Sequence, residues 1–199
     1  MRYQKKYLPL VSAAIVYSCA IISNSAYANN VDSWARVCRD QDGSKVCNTI
    51  SDVVTDYGQP LTIVNLVETQ KDKKMLITVP TGRHIPEGVS IQIGKGEVKK
   101  LDYSFCLGAI CIAEGVLNDD IINSMKSGDK LRIISVNYQG SSNPIDVPLK
   151  GFSAAYKSKG ITEAQFDEMR SKRAQAAGML QAQEDEKLLK AQQAAKKGS

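Results

Sequence analysis

The sequence predicts an all-β domain, an antiparallel β-sandwich or barrel-like fold with one short helix, followed by a helical C-terminal tail. Two observations lead to this prediction. Short runs of β-branched residues recur between turn signals, which is typical of sandwiches and barrels rather than of alternating strands and helices. After Phe152 the chain contains no proline and is dominated by Ala, Gln, Glu, Lys and Arg, which have high helix propensity.

About eight or nine strands are expected between Trp34 and Leu149. The run Leu61–Val67 is rich in β-branched residues, and Val89–Ile93 alternates so that its three apolar side chains share one face. The predicted strands are 34–38, 46–54, 61–68, 74–79, 89–93, 97–101, 111–117, 130–138 and 145–149.

One short helix is expected to interrupt these strands. Asn118 can cap it, the two aspartates that follow suit the positive end of its dipole, and Gly128 can end it. Three apolar residues lie three or four positions apart and would face the core: Ile121, Ile122 and Met125.

The chain is divided into a signal peptide at 1–28, a β-domain at 29–156 and a charged tail at 157–199. Thr162 with Gln165 forms a possible capping box for a tail helix. The apolar positions after it approximate helical spacing but thin out, which favours a solvated helix that frays towards its end. A coiled coil or a partner-binding helix is the alternative.

Residues 1–28 have the features of a Sec signal peptide. Basic residues precede the apolar run Tyr7–Ile22, which is shorter than the roughly 20 residues that span a bilayer. Ala26 and Ala28 place small side chains at the two positions that signal peptidase recognises, so cleavage is expected after Ala28. The alternatives are an uncleaved N-terminal anchor and lipoprotein processing at Cys19.

Loss of Arg2, Lys5 and Lys6 with the signal peptide lowers the net charge from +5 to +2. A charge this small and dispersed does not indicate a nucleic-acid partner. No later segment approaches transmembrane length, so no transmembrane segment is expected after signal cleavage. The oligomeric state and the identity of any partner stay open.

Four cysteines remain after signal cleavage and suggest two disulfides, with three possible connectivities. They are Cys38, Cys47, Cys106 and Cys111. Both short intervals can close as hairpin-like loops, which favours pairing of Cys38 with Cys47 and of Cys106 with Cys111. A redox pair is the alternative, but neither spacing is C-x-x-C.

The sequence offers no candidate catalytic, cofactor-binding or metal-binding residue. Any histidine-based triad would have to use the single histidine, His84, which sits in a loop-like stretch between glycine and proline. There is no G-x-S-x-G motif, and Gly94-Lys95-Gly96 lacks the sequence of a phosphate loop. One histidine also cannot build a multi-histidine zinc site.

Seven aromatic residues are candidates for a binding surface, and two of them, Trp34 and Phe152, are expected to anchor the core instead. The seven are Trp34, Tyr57, Tyr103, Phe105, Tyr138, Phe152 and Tyr156.

A series of short blocks follows in order between Trp34 and Tyr156. The blocks are Trp34-x-x-x-Cys38 with Cys47, then Pro80–Val89, Phe105-Cys106, Cys111-Ile112-Ala113, Leu117, Met125–Gly128 and Leu149–Ala155. This ordered set resembles the invasion-associated locus B (IalB) family. The chain departs from the family pattern at Ile110, where the family usually has glycine before the later cysteine. The tail lies outside the resemblance.

The resemblance implies a small exported protein of a Gram-negative bacterium, periplasmic or associated with the outer membrane, without enzymatic activity. The family's namesake is linked to the invasion of red blood cells. The leading hypothesis is therefore a non-enzymatic binding or virulence-associated protein whose partner is an envelope or host-surface protein. The alternative is a periplasmic structural or assembly accessory that acts through its C-terminal helix. A third hypothesis is an envelope thiol oxidoreductase.

Overall fold

The structure, a computed structural model, describes residues 34–55 and 60–197. The predicted signal peptide and its cleavage site lie outside these residues. The strands are β1 (Trp34–Gln41), β2 (Ser44–Val54), β3 (Pro60–Glu68), β4 (Lys73–Pro80), β5 (Val89–Ile93), β6 (Val98–Leu107), β7 (Ile110–Val116), β8 (Lys130–Val136) and β9 (Ser142–Pro148). The helices are α1 (Asp119–Ser127), α2 (Phe152–Lys157) and α3 (Glu163–Lys197), and a short 3₁₀ turn covers Ile85–Glu87.

All nine strands belong to one antiparallel sheet in the order β1-β2-β3-β4-β7-β6-β5-β8-β9. The sheet curls into a half-barrel, so the prediction of a mostly β fold is confirmed. The sandwich is not confirmed, because the strands form one continuous hydrogen-bonded sheet. A strand contributes alternate side chains to the two faces, and the curl turns one of these faces into the core.

The concave face of the sheet holds the hydrophobic core. Met75, Ile77 and Val79 alternate along β4 and are almost completely buried. The helix α1 closes one end with its three predicted apolar residues, all of them buried. Its predicted cap is confirmed, because Asn118 Oδ1 accepts a hydrogen bond from the Ile121 amide at 2.9 Å.

The helix α2, which the sequence did not predict, joins the two edges of the sheet. It follows Gly151, whose φ of 85° turns the chain inward. Phe152 is completely buried and meets the Trp34 ring edge-on at 4.9 Å between centroids. The Trp34 indole donates to the Pro148 carbonyl at 2.8 Å and so ties β1 to the end of β9. Both aromatic rings therefore anchor the core, as predicted.

The two edge strands are protected from further pairing. The backbone of β1 exchanges hydrogen bonds with Ile161, which lies just before α3. The β9 strand contains Pro144 and Pro148, which cannot donate to a neighbouring strand. Covered or proline-containing edges are a common protection against edge-to-edge association.

The tail forms the long helix α3, and its predicted capping box is present. The Thr162 amide donates to Gln165 Oε1 at 2.9 Å, and the Gln165 amide donates to Thr162 Oγ1 at 3.3 Å. No helix among residues 34–55 and 60–197 has the length and apolar character needed to cross a membrane.

The first turns of α3 contact the β-domain. Phe166, Met169 and Arg173 are half-buried, at the spacing of one helix face. Arg173 and Arg170 point charged nitrogens at Asp52 of β2, at 3.6 and 3.9 Å. Beyond Arg173 nearly all described side chains are exposed, as expected for a solvated helix.

Candidate protein-binding surface

The β6–β7 hairpin extends further than the sequence predicted. The sequence placed the end of β6 at Leu101, but the strand continues to Leu107 and pairs with β7. The two strands are joined by Gly108 and Ala109, and Gly108 has a φ of 58°, a conformation that suits glycine. This tight connection closes the tip of the hairpin.

A disulfide closes the hairpin at its tip. Cys106 lies directly opposite Cys111, and their sulfurs are 2.01 Å apart. The other pair, Cys38 and Cys47, faces across β1 and β2 with sulfurs 2.08 Å apart. The structure thus brings the four cysteines together in the sequential pairs that the sequence favoured.

Three apolar side chains stand exposed on one face of this hairpin. Phe105 and Leu107 are two positions apart on β6, and Ile110 lies opposite Leu107 on β7, so all three share a face. Their exposed fractions are 53%, 74% and 39%. We call Phe105, Leu107 and Ile110 the tip patch.

Neighbouring loops hold the tip patch in place. The Thr81 amide donates to the Ala109 carbonyl at 3.0 Å, and the Tyr138 amide donates to the Gly82 carbonyl at 3.0 Å. Arg83 fixes this loop, because its guanidinium donates to the Pro80 carbonyl at 2.9 Å and to Asn143 Oδ1 at 2.8 Å. Tyr138, which is 72% exposed, adds an aromatic ring at the same end of the sheet.

The convex face of the sheet carries further apolar side chains among polar ones. Ile63, Leu76 and Ile112 alternate with core residues on β3, β4 and β7, and all three are half-buried. Leu76 lies opposite Asn65 on β3 and Glu114 on β7. A mixed face of this kind is usual for a sheet turned to solvent, so the exposed apolar surface is the tip patch itself.

The five aromatic candidates other than the two core anchors, Trp34 and Phe152, divide into three groups. Phe105 and Tyr138 are exposed, Tyr103 and Tyr156 are half-buried against the core, and Tyr57 lies outside the described residues. The sequence analysis did not single out Leu107 and Ile110. The alternation of Phe105 and Leu107 around Cys106 was the signal that could have found them.

A half-buried polar cluster lies at the opposite end of the sheet. Glu68 accepts hydrogen bonds from the Tyr156 hydroxyl at 2.5 Å and from Arg36 at 2.6 Å. Burial raises the pKa of Tyr156, and the hydrogen bond to Glu68 adds to the effect. Arg36 also lies over the Tyr156 ring, at 5.0 Å from its centroid. Every group is satisfied by another, as in a structural network.

The described residues contain no group of three or more side chains suited to hold a metal ion. His84 lies on an exposed loop with Glu87 as its neighbour, at 3.9 Å. Two hollows of about 220 and 210 Å³ lie beside Arg39 and beside Ile93, away from the tip patch.

Comparisons with known proteins agree with this architecture. The model of the family "Invasion associated locus B (IalB) protein" matches residues 34–160. Among solved structures, invasion associated protein B from Bartonella henselae is similar at a TM-score of 0.55 and 24% identity. The match covers 63% of this chain and 88% of that chain, and it concerns the fold. The search of curated proteins gives no match. Because the family match spans more than half of the sequence, the chain belongs to the invasion associated locus B family.

Proposed function

We propose that this protein is an exported, non-enzymatic envelope protein that binds a protein partner through the tip patch. The observation that carries the proposal is the exposure of Phe105, Leu107 and Ile110 on one face of a disulfide-closed hairpin. A backbone that is already fixed by a disulfide loses little conformational entropy on binding, so the apolar side chains that it presents can act as anchors.

The shape of the surface favours a protein over a small molecule. Small-molecule sites are concave, whereas the side chains of the tip patch stand exposed on one face of a hairpin. A partner with an apolar groove or pocket could bury Leu107, which is 74% exposed, together with the neighbouring ring of Phe105. We propose an envelope or host-surface protein as this partner, in keeping with the family.

Export is supported by the two cysteine pairs. Disulfides persist in oxidising compartments such as the bacterial periplasm and the cell surface. The predicted Sec signal peptide agrees with this location. A role in virulence is proposed from the family alone.

Crosslinking and pull-down from intact cells test the proposal. Leu107→Lys places a charge in the tip patch and is expected to remove the crosslinked partner. Val116→Lys is the matched control, because Val116 is 77% exposed at the other end of the same hairpin. Equal capture by wild type and by the Leu107→Lys protein would refute binding through the tip.

A second function is favoured by the distal part of α3. From Ala174 to Lys197 the helix extends about 36 Å at 1.5 Å per residue. The large apolar side chains that are exposed here, Met179, Leu188 and Leu189, are few and spread around the helix, with Met179 and Leu188 on opposite sides. This segment therefore suits a charged tether or assembly contact more than an apolar one. A chain ended after Arg173 would lose its partner under this alternative and keep it under the first.

A further inference from the structure

Two residues that precede α3 join the tail to the β-domain by backbone hydrogen bonds. The Ile161 amide donates to the Arg36 carbonyl at 2.8 Å, and the Cys38 amide donates to the Ile161 carbonyl at 3.2 Å. Gly160 lies beside them. We call Gly160 and Ile161 the clasp, because they hold the start of α3 to the free edge of β1.

Gly160 is pressed against a cysteine of the first disulfide. A Cβ atom added at Gly160 would lie 2.6 Å from Cys38 Sγ and 3.2 Å from Cys38 Cβ. It would also lie 3.3 Å from the Arg36 carbonyl oxygen, and the φ of Gly160 is 84°. The position therefore requires glycine, both for its backbone conformation and for the space beside the sulfur.

The sulfur of Cys38 has two close neighbours. It is bonded to Cys47, which is buried in the sheet at 6% exposure, and Gly160 lies next to it. Two thiol sulfurs cannot remain at bonding distance, so reduction moves them apart to van der Waals contact. Cys47 is buried whereas Cys38 is half-buried, so the Cys38 sulfur has more room to move. Any movement of this sulfur changes its contact with Gly160.

We propose that the clasp closes only when Cys38 and Cys47 form their disulfide, so that oxidation after export docks the tail onto β1. The coupling rests on the contact between Gly160 and Cys38 and not on the tip patch. An undocked tail would free the edge of β1 and the first turns of α3. The order of events is therefore disulfide formation first and tail docking second.

The chemistry is thiol–disulfide exchange. The thiolate of one cysteine attacks a disulfide of an oxidant, and the second thiolate then displaces the oxidant's sulfur from the mixed disulfide. Cys38 and Cys47 together lose two electrons and two protons, and the oxidant leaves as two thiols. A dithiol such as dithiothreitol reverses the step and is itself oxidised to a cyclic disulfide.

The second disulfide provides the matched control. The Cys106–Cys111 pair lies at the tip of the β6–β7 hairpin, and the clasp contacts β1 instead. The full-length exported protein carrying Cys106→Ser and Cys111→Ser retains only the Cys38–Cys47 disulfide. Reduction of this variant with dithiothreitol is expected to speed amide hydrogen exchange at Ile161 about tenfold, since one backbone hydrogen bond is lost. Exchange at the centre of β3 and β4 should stay unchanged.

Two results would overturn the proposal: no response of Ile161 to the reductant, or an equal rise at the centre of β3 and β4. Should this variant not fold, the wild-type chain and a chain with Cys38→Ser and Cys47→Ser are compared in the same reductant. Addition of the reductant must then speed amide hydrogen exchange at Ile161 in the wild type and leave it unchanged in the serine variant. A response in both would equally refute the coupling.

A glycine pair tests the contact without changing the redox state. Gly160→Ala in the oxidised protein is expected to speed Ile161 exchange by about tenfold or more, because the new methyl group meets Cys38 Sγ. Gly178→Ala is the control, since no atom lies within 4 Å of a Cβ added there. An amide exchange rate at Ile161 that is the same in the Gly160→Ala protein as in the wild type would contradict the inferred contact.

Discussion

Replacing Tyr156 by phenylalanine tests how far the half-buried polar cluster of Arg36, Glu68 and Tyr156 stabilises the end of the half-barrel. The substitution removes the hydroxyl that donates to Glu68 at 2.5 Å and leaves the ring on Phe152, at 5.5 Å between centroids. Glu68 keeps its ion pair with Arg36 at 2.6 Å. The loss is therefore confined to one hydrogen bond.

The magnitude follows from the charge of the acceptor. Hydrogen bonds to charged groups contribute about 1.5–3 kcal/mol to stability. Tyr156 is only half-buried, so water can partly replace the hydroxyl and the lower end of this range applies. We expect the free energy of unfolding of Tyr156→Phe to fall by about 1.5 kcal/mol, which lowers the melting temperature by about 5 °C in a domain of this size.

The pH dependence gives a second signature. The folded state raises the pKa of Tyr156, whereas the unfolded chain ionises this tyrosine near pH 10. The contribution of Tyr156 is thus fully present below pH 10 and is lost as the pH rises beyond it. The difference in unfolding free energy between wild type and Tyr156→Phe should shrink above about pH 10.

Urea unfolding between pH 7 and pH 10.5 measures both effects. Tyr138→Phe is the control, because Tyr138 is 72% exposed and its loss should change stability by less than about 0.5 kcal/mol. Equal stability of wild type and Tyr156→Phe at pH 7, or a difference that does not change with pH, would refute the reasoning.

Three further predictions concern a disulfide, the tail and a surface ion pair. Replacing Cys106 and Cys111 by serine should lower the unfolding free energy by about 2 kcal/mol, measured by urea midpoints, while the folded variant still binds its partner. A chain ended after Tyr156 should still melt cooperatively in calorimetry. Its free energy of unfolding should be about 1–2 kcal/mol lower, because the two hydrogen bonds of the clasp are lost. The hydrogen bond that Arg132 donates lowers the pKa of Asp146 to about 2. The stability that ionised Asp146 contributes to the fold should therefore be lost as the pH falls from about 4 towards 2. Asp146→Asn should cost about 0.5–1 kcal/mol at pH 7 in urea unfolding, since the pair is largely solvated. A pH-independent difference from wild type would contradict this assignment.

Local sequence signals predicted the individual elements well. The alternation of Val89–Ile93 identified β5, and Asn118 marked the start of α1. These features depend on neighbours in the chain, so the sequence contains them directly.

Long-range arrangement was much less accessible. The insertion of β7 between β4 and β6, and the single curled sheet, depend on contacts between residues far apart in the sequence. The helix α2 is only six residues long, and burial of Phe152 against Trp34 stabilises it rather than its own propensity. No local pattern reports such packing.

The sequence identified only part of the tip patch. Phe105 was identified as one of several aromatic residues, but its exposure is a property of the fold. Leu107 and Ile110 lie between the strands that the sequence predicted, and their exposure follows from the hairpin that β6 and β7 form. The contact between Gly160 and Cys38 joins positions 122 residues apart and has no sequence signature.

Site-specific photo-crosslinking tests the central claim, binding of a protein partner through the tip patch, most directly. A photoreactive amino acid is placed at Leu107 in one protein and at Val116 in another, positions of similar exposure at opposite ends of one hairpin. Irradiation of intact cells that export each protein should give a discrete crosslinked band from position 107 and none from position 116. A band of equal intensity from both positions, or from position 116 alone, would contradict binding through the tip.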